Sequence, residues 1–332
     1  MKSFKRLQAP TVIIIVGPTA VGKTAAAIRL AALLQTKIIS ADSRQCYREL
    51  NIGVAKPSPA ELSAVHHYFI DSHSIQEEVN AAVFERLALQ WTADIFRDAS
   101  GQASHEVPTV VMVGGTGLYI KAFTDGLDDM PPVDPALRQR LRQQYQQDGI
   151  AWLQQEVRQL DPVFFTEGEQ LNPHRLLRAL EVRLSTGRSI FSFRNRTPQQ
   201  RPFHIRRIGL QLPKEELHRR IHDRVDTMMQ QGLLEEVKGL LPWRTHKALQ
   251  TVGYKELFDY LDGACSLDEA VANIATNTRH YAKRQLTWFR KDPTVEWIDP
   301  DQPLSGLLTG LSGKKYPNLN IIVTWFQPNF AT

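Results

Sequence analysis

Residues Gly17-Pro18-Thr19-Ala20-Val21-Gly22-Lys23-Thr24 have the types and spacing to hold phosphate. They satisfy G-x-x-x-x-G-K-[ST], in which glycines let a loop fold back until successive backbone N–H groups converge on phosphate oxygens. Lys23 supplies a point charge, and the Thr24 hydroxyl suits Mg²⁺, a hard cation that takes oxygen ligands. A helix beginning here adds its positive dipole end. The loop names the group that is gripped, not the reaction.

A nucleotide hydrolase normally adds an acidic residue at the end of a second buried strand to hold Mg²⁺. The best such segment, TVVMVGGT, ends in Gly114, Gly115 and Thr116 without a carboxylate. HYFIDS offers Asp71, on a shorter strand flanked by histidines, and no Asn-Lys-x-Asp guanine-reading motif occurs in the chain. A switch or motor is disfavoured, and a small phosphorylated substrate fits better. Asp42, in IISADSRQCY, directly follows a second apolar strand, at the carboxyl end where open sheets bind ligands. If that strand neighbours the first, Asp42 faces the phosphate loop. Three uses are open to it: metal ligand, general base, or N-cap of the next helix. With Ser43, Arg44 and Gln45 it offers groups that can deprotonate an amine and hydrogen-bond an adenine edge.

The elements that position these residues follow from hydropathy patterning. Val12–Val16 is a continuous apolar run, as expected of a strand covered on both faces, and 37–41 and 109–113 read likewise. Helical patterns lie between them at 24–35 and 78–98, giving a doubly wound α/β core. The character changes near Gly126. Asp134-Pro135 and Asn172-Pro173 are each an N-cap with proline at the first helical position, so 134–188 reads as helical. RIGLQL returns to a strand pattern, and helices follow to about 291. The expected organisation is a core at 1–125, a helical basic insertion at 126–202, a mostly helical second part of the core at 203–313, and a tail at 314–332 without an assigned role. Residues 299–313 read as loop, and no internal repeat is visible.

The 332 residues are 42% hydrophobic and 23% charged, the composition of a globular protein rather than a disordered or fibrous one. A net charge of +5 permits a nucleic-acid partner without requiring one. Two cysteines, Cys46 and Cys265, form no framework and have no metal-like spacing. No apolar run reaches the length of a membrane span, and a cytoplasmic location is expected. Basic residues cluster in four places. Arg138 and Arg142 lie four apart on the insertion's first helix, and His174, Arg175 and Arg178 start its second clear helix, where cations are unfavourable unless they meet an anion. Arg188, Arg194, Arg196, Arg201, Arg206 and Arg207 occur without an acidic residue among them and are interleaved with Phe191, Phe193 and Phe203, a pattern suited to phosphate contact and base stacking. TRHYAKRQLTWFRK adds further cations with Tyr281 and Trp288. Any one of these is commonly a solvated face; together they favour RNA. Leu217, Ile221, Val225 and Met228 form one apolar helix face, and Arg220 and Arg224 lie four apart on another, which periodicity alone reads as a solvated basic face.

Eight segments, GPTAVGKT, ISADSRQCY, NIGVAKP, VMVGGTGLYIKA, NPHRLLRALEV, LHRRIHDRVDTMMQQGLLEEV, TVGYKEL and TRHYAKRQLTWFRK, occur in the order seen in tRNA dimethylallyltransferases. On these, the chain resembles that family over about residues 10–292. The resemblance implies a P-loop NTPase-like parallel-sheet core with an inserted helical domain. It also implies transfer of a dimethylallyl group from dimethylallyl diphosphate to N6 of the adenosine 3′ of the anticodon (adenosine-37), in tRNAs reading codons that start with U. Asp42 is then the general base and Thr116 lies near the base–substrate junction. Gly17–Thr24, with Mg²⁺ on Thr24 and with Arg220, holds the leaving diphosphate. Contacts to tRNA carry over to Asp42, Ser43, Arg44, Gln45, Thr116, Arg138, His174, Arg175, Leu176, Leu177, Arg178, Gln250, Thr251, Val252, Gly253, Tyr254, Lys255, Lys283 and Arg284. The implied partners are the anticodon stem-loop and dimethylallyl diphosphate, with no membrane, and the implied state is a monomer.

Two departures stand out: Val54 replaces the threonine usual in IGTAKP, and no Cys/His zinc finger follows the core. Three rival readings are a P-loop small-molecule kinase, a prenyltransferase acting on free adenine nucleotide, and a non-catalytic RNA-binding module. The kinase and the nucleotide prenyltransferase leave the basic insertion unexplained. The RNA-binding module has no use for Asp42 beside an intact phosphate loop.

Overall fold

The computed structural model describes residues 9–100, 107–194 and 197–300. The tail, Arg196 and most of the 299–313 loop lie outside the described residues. The chain divides into two compact units, one formed by 1–124 with 201–332 and the other by 125–200.

In the first unit β1 (Thr11–Val16) runs through the phosphate loop into α1 (Lys23–Leu33). Then come β2 (Ile38–Ser40), α2 (Pro59–Ala64), β3 (His67–Tyr68), α3 (Ala81–Ser100), β4 (Thr109–Val113) and α4 (Gly117–Asp125). The second unit carries α5 (Pro135–Leu160), α6 (Pro162–Glu167) and α7 (Pro173–Thr186). The chain returns through β5 (His204–Leu210), α8 (Lys214–Gln230), α9 (Leu233–Gly239), α10 (Tyr254–Leu261), α11 (Leu267–Phe289) and β6 (Val295–Ile298).

The strands form one sheet in the order β3-β2-β4-β1-β5-β6, and every pair is parallel. β1 is central and wholly buried, which its unbroken apolar run anticipates. Ile13, Ile15, Val111, Val113 and Ile208 of the three middle strands share a core with Ala27 and Leu30 of α1 and Ile221 of α8. β6 is a strand that periodicity overlooks: VEWI is four residues long, mixes a carboxylate into the run, and follows a proline. The sheet's side chains compensate, since Trp297 of β6 lies over Gly209 of β5.

β2 does not neighbour β1. β4 lies between them, with Ile14 paired to Met112 and Ile39 to Met112 on its two sides. Asp42 therefore reaches the phosphate loop across the end of β4. That end is Gly114-Gly115: the Gly114 N–H donates to the Ile15 carbonyl (3.2 Å), and the Ala41 N–H donates to the Val113 carbonyl (2.7 Å). A Cβ at Gly114 would overlap the Ala41 carbonyl, and one at Gly115 the Gln285 amide.

The second unit is all-helical. Asp134 accepts from the Ala136 N–H (2.9 Å) and Asn172 from the His174 N–H (3.1 Å), so both expected N-caps form. α5 is broken at Gly149, whose φ of 74° is left-handed. Leu141, Leu153, Val157, Phe164, Leu176 and Leu180 are buried together as this unit's core.

Gly114→Ala is expected to lower stability by about 1–3 kcal/mol, because the overlapped atom is backbone and cannot rotate away. Urea denaturation of the full chain measures this; an unchanged midpoint would show that the β2–β4 junction yields.

Candidate active site

The phosphate loop turns on two glycines. Gly17 has φ 146° and packs where a Cβ would be 2.6 Å from the Leu210 carbonyl of β5; Gly22 has φ 96° and starts α1. Ala20, with φ 65°, adopts a left-handed conformation that non-glycine residues rarely take outside functional loops. The first turn of α1 holds no acidic side chain, which leaves its dipole end open to an anion. Gln285 of α11 ties the loop down: its Oε1 accepts from the Thr19 N–H (2.8 Å), and its Nε2 donates to the Gly115 carbonyl (3.0 Å).

The loop borders a cavity of about 360 Å³ whose lining includes Lys23, Thr24, Asp42, Glu61, Arg220 and Arg224. Three cations thus face two carboxylates. The Lys23 ammonium donates to the Pro18 carbonyl (2.7 Å). Burial, and then the Arg224 charge, pull its pKa down to about 7 against the opposing pull of Asp42. Burial also lowers Arg224, again opposed by Asp42. Arg224 donates to the Thr19 hydroxyl (3.4 Å), so it sits directly against the loop. Arg220 lines the same cavity while its Nε donates to Glu216 (2.7 Å). The pair is therefore not a solvated face, as periodicity suggests, and Arg224 belongs to the site as fully as Arg220.

Asp42 serves two purposes at once. Its Oδ1 accepts from the N–H groups of Arg44 (2.8 Å) and Gln45 (3.3 Å), the capping role, while the carboxylate also lines the cavity. Thr116 lies at neither cavity wall. Its hydroxyl accepts from the Ser43 N–H (3.0 Å) and donates to the Ser43 hydroxyl (3.3 Å), which makes it the residue that holds the 42–45 turn to the start of α4. The Gln45 amide is spent internally: Nε2 donates to the carbonyls of Val54 (3.3 Å) and Ala55 (3.0 Å), and Oε1 accepts from Ser40 (3.2 Å). Gln45 therefore anchors the 54–55 loop rather than presenting donors to a base.

A second cavity of about 120 Å³ adjoins the first, and both share Thr19, Asp42, Val54 and Arg224. Ile221, Val225 and Met228 of α8, with Val252 and Ile274, make its wall largely apolar. Val54 stands at the junction and presents an apolar side chain to both cavities.

No group of three His, Cys, Asp or Glu side chains among the described residues is arranged to hold a metal ion unaided. The Thr24 hydroxyl at the first cavity instead fits Mg²⁺, which keeps waters and relies on one or two protein oxygens plus phosphate.

The residues expected to meet RNA divide sharply. Gln250 and Lys255, and on α11 Lys283 and Arg284, are exposed, while Thr251, Val252 and Gly253 line the second cavity. Tyr254, Leu176 and Leu177 are buried, so their side chains pack in the interior. Arg175 pairs with Glu169 (3.0 Å), and Arg138 (3.4 Å) and Arg178 (3.3 Å) share the buried Glu181, so the anions answering these arginines are the protein's own. His174 is exposed at the start of α7. The arginine–phenylalanine stretch is not a free stacking surface. Arg201 is buried on Glu85 (2.6 Å), Arg206 pairs with Glu296 (2.8 Å) and Arg207 with Asp292 (3.2 Å). Phe203 stacks on Phe123 and Phe191 on Phe164, while Arg188 lies over Phe193. No described helix is long and apolar enough to cross a membrane.

The IPP transferase family model matches residues 45–292. The tRNA dimethylallyltransferase of Christiangramia forsetii is 45% identical over 300 residues, 90% of this chain and 97% of that protein. That of Cytophaga hutchinsonii is 44% identical over 291 residues, 88% of this chain and 93% of that one. The crystal structure of the full-length tRNA isopentenylpyrophosphate transferase from Bacillus halodurans superposes with a TM-score of 0.63 at 34% identity, covering 95% of both chains. A eukaryotic dimethylallyltransferase acting on tRNA reaches a TM-score of 0.71 over 95% of this chain and 80% of its own; its 24% identity speaks for the fold alone. With the family model spanning most of its length and relatives at 44–45% identity covering nearly all of it, this chain belongs to the IPP transferase family, enzymes that transfer prenyl groups on a P-loop NTPase-like α/β fold.

Proposed function

We propose that the enzyme transfers the dimethylallyl group of dimethylallyl diphosphate to N6 of adenosine-37, 3′ of the anticodon, in tRNAs reading codons that start with U. The products are N6-dimethylallyladenosine and diphosphate. One observation carries the reading: Asp42 lies on the shared border of a cationic phosphate-loop cavity and a second cavity of about 120 Å³ that has an apolar wall. The apolar wall of the second space, Val54, Ile221, Val225, Met228, Val252 and Ile274, suits a hydrocarbon group, while Arg44 and Arg224 form its polar side.

The chemistry follows from these residues. The N6 lone pair is delocalised into the purine ring, so the amine is a weak nucleophile until its proton is removed. As N6 attacks the allylic carbon, the C–O bond breaks and its electron pair passes to the diphosphate, while the N6 proton passes to Asp42. Charge grows on the leaving group, where the loop N–H groups, Lys23, Arg220 and Arg224 face it. Stabilisation that strengthens as the bond breaks acts on the transition state rather than on the bound donor. Mg²⁺, held on Thr24 when bound, supplies further positive charge to the diphosphate. A kinase reading gains nothing at β4, where the space beyond Val113 is filled by the Ala41 backbone and Gln285. For tRNA, the exposed candidates are His174, Arg175, Gln250, Lys255, Lys283 and Arg284.

Asp42→Asn keeps an oxygen for the Arg44 and Gln45 N–H groups but removes the base. Transfer should fall by about 10²–10⁴-fold, with inorganic diphosphate affinity nearly unchanged; equal loss of both would reduce Asp42 to a cap. The depressed Lys23 pKa has a sign. At pH 8 the free amine is mostly neutral, and a bound diphosphate raises its pKa, so binding takes up a proton that is already present at pH 6. Calorimetry in buffers of different ionisation enthalpy should show this uptake at pH 8, little of it at pH 6, and none attributable to this residue in Lys23→Met. Arg175→Ala should weaken tRNA binding and make the slope of log K against log salt shallower by about one; an unchanged slope removes α7 from the RNA contact.

A further inference from the structure

Glu236, on α9, lines neither cavity, yet its carboxylate is fully used. Oε2 accepts from the backbone N–H groups of Asn51 (3.2 Å) and Ile52 (2.8 Å). Oε1 accepts from the Gly53 N–H (3.1 Å) and the Tyr254 hydroxyl (2.6 Å). Four donors fill the four in-plane acceptor positions of one carboxylate. Tyr254 is fully buried, and its ring lies where a Cβ on Gly53 would come within 2.6 Å. Burial and the neighbouring Glu236 charge raise its pKa, so the hydroxyl remains a donor.

The two segments that meet on Glu236 are opposite contributors to the second cavity. Gly53 and Val54 come from one, and Thr251, Val252 and Gly253 from the other. The first continues into the catalytic turn, because the carbonyls of Val54 and Ala55 receive the Gln45 amide, and the Gln45 N–H donates to Asp42. The N-terminus of α10 supports the second with a separate clamp: the Gly253 N–H donates to Glu256 (2.8 Å), which also accepts from Asn277 (2.7 Å). No comparable tie runs from Glu236 to the phosphate loop.

We propose that Glu236 is a positioning residue for the transfer step, a latch that sets the spacing of the 51–54 and 251–254 segments and thereby where the acceptor amine meets Asp42. This rests on the function proposed above. The latch acts on the acceptor side, so it should govern turnover with tRNA and leave diphosphate binding alone. A residue that merely supports the fold would lower both together.

The test uses the full chain with Glu236→Gln, Glu236→Ala and Tyr254→Phe. Glutamine is nearly isosteric, but its NH₂ faces donors, so at least one oxygen's worth of bonds is reversed. Three readouts are compared with the parent: thermal unfolding, the Kd of inorganic diphosphate by calorimetry, and steady-state transfer to tRNA. For Glu236→Gln the expected result is a fall in kcat/KM for tRNA of about tenfold or more, with diphosphate Kd held within about twofold. Tyr254→Phe removes one bond and leaves the three backbone N–H groups satisfied, so it keeps the question open to measurement if Glu236→Gln or Glu236→Ala does not fold. It should lower kcat/KM for tRNA by about three- to tenfold, again with unchanged diphosphate Kd. Parent-like kcat/KM in both Glu236→Gln and Tyr254→Phe overturns the latch, and so does a loss of transfer matched by an equal loss of diphosphate affinity. A parent that prenylates no tRNA overturns the proposed function and the latch with it; an active parent matched by its variants overturns the latch alone.

Discussion

The constraint on which this site depends is the crowding of positive charge where the parallel strands end. Lys23 and Arg224 are held close enough that each feels burial, and Lys23 also feels Arg224, with Asp42 as the opposing charge. A tenfold change in proton affinity corresponds to about 1.4 kcal/mol. A lysine held near 7 instead of 10.5 therefore gives up several kcal/mol of preference for its charged form. The fold tolerates this because the sheet core is large and continuous around β1, and because the loop's own carbonyl at Pro18 takes the ammonium. A polyanion entering the cavity returns what the fold withholds, which is why the same residues that strain the protein are suited to bind diphosphate.

That charge could not be brought beside Asp42 without the glycines of β4. β1 and β2 are separated by a whole strand, so the loop after one and the turn after the other are apart unless the strand between them ends in nothing bulky. Gly114 lets the Ala41 backbone close over the end of β4, and Gly115 gives its space to Gln285. Gln285 then joins the phosphate loop to that same strand end through Thr19 and Gly115. The absence of a carboxylate after β4 is thus a packing requirement as well as a chemical one.

How much of this was legible in the sequence depends on the distance between partners. The phosphate loop, its flanking strand and helix, and the Asp134 and Asn172 caps are written in adjacent residues, and the structure bears them out. β6 escaped because four mixed residues carry too little periodicity. In the basic run at 188–207 the acidic partners of Arg201 and Arg206 are remote: Glu85 lies 116 positions from Arg201, and Glu296 lies 90 from Arg206. Lack of acids within a segment says nothing about acids folded against it. The engagement of the Gln45 amide is hidden for the same reason, since the Val54 and Ala55 carbonyls it serves belong to a loop that local patterning leaves unplaced. Gln285 and Arg224 had weak signals, a four-residue offset from Tyr281 and from Arg220, but only the sheet order shows what they face. The Glu236 contacts span 183 to 185 positions to the 51–53 loop, beyond any local rule.

Under the function proposed above, the geometry of Asp42 accounts for one carboxylate sufficing for carbon transfer where phosphoryl transfer commonly recruits more. In phosphoryl transfer the metal must be held rigidly against the reacting phosphorus, so a second acidic strand end is useful. When the bond broken is C–O, the diphosphate is a leaving group, and the reacting centre is a carbon that bears no metal. The carboxylate is then wanted at the nucleophile. Oδ1, fixed by the Arg44 and Gln45 N–H groups, sets the plane of the group. Among the described residues no hydrogen bond occupies Oδ2, which leaves that oxygen with an open lone pair for a proton. In that proposal, a base oriented by its own turn, with the phosphate-loop cations on one side and an apolar wall within reach on the other, is the arrangement that the alkylation of a weakly nucleophilic amine demands.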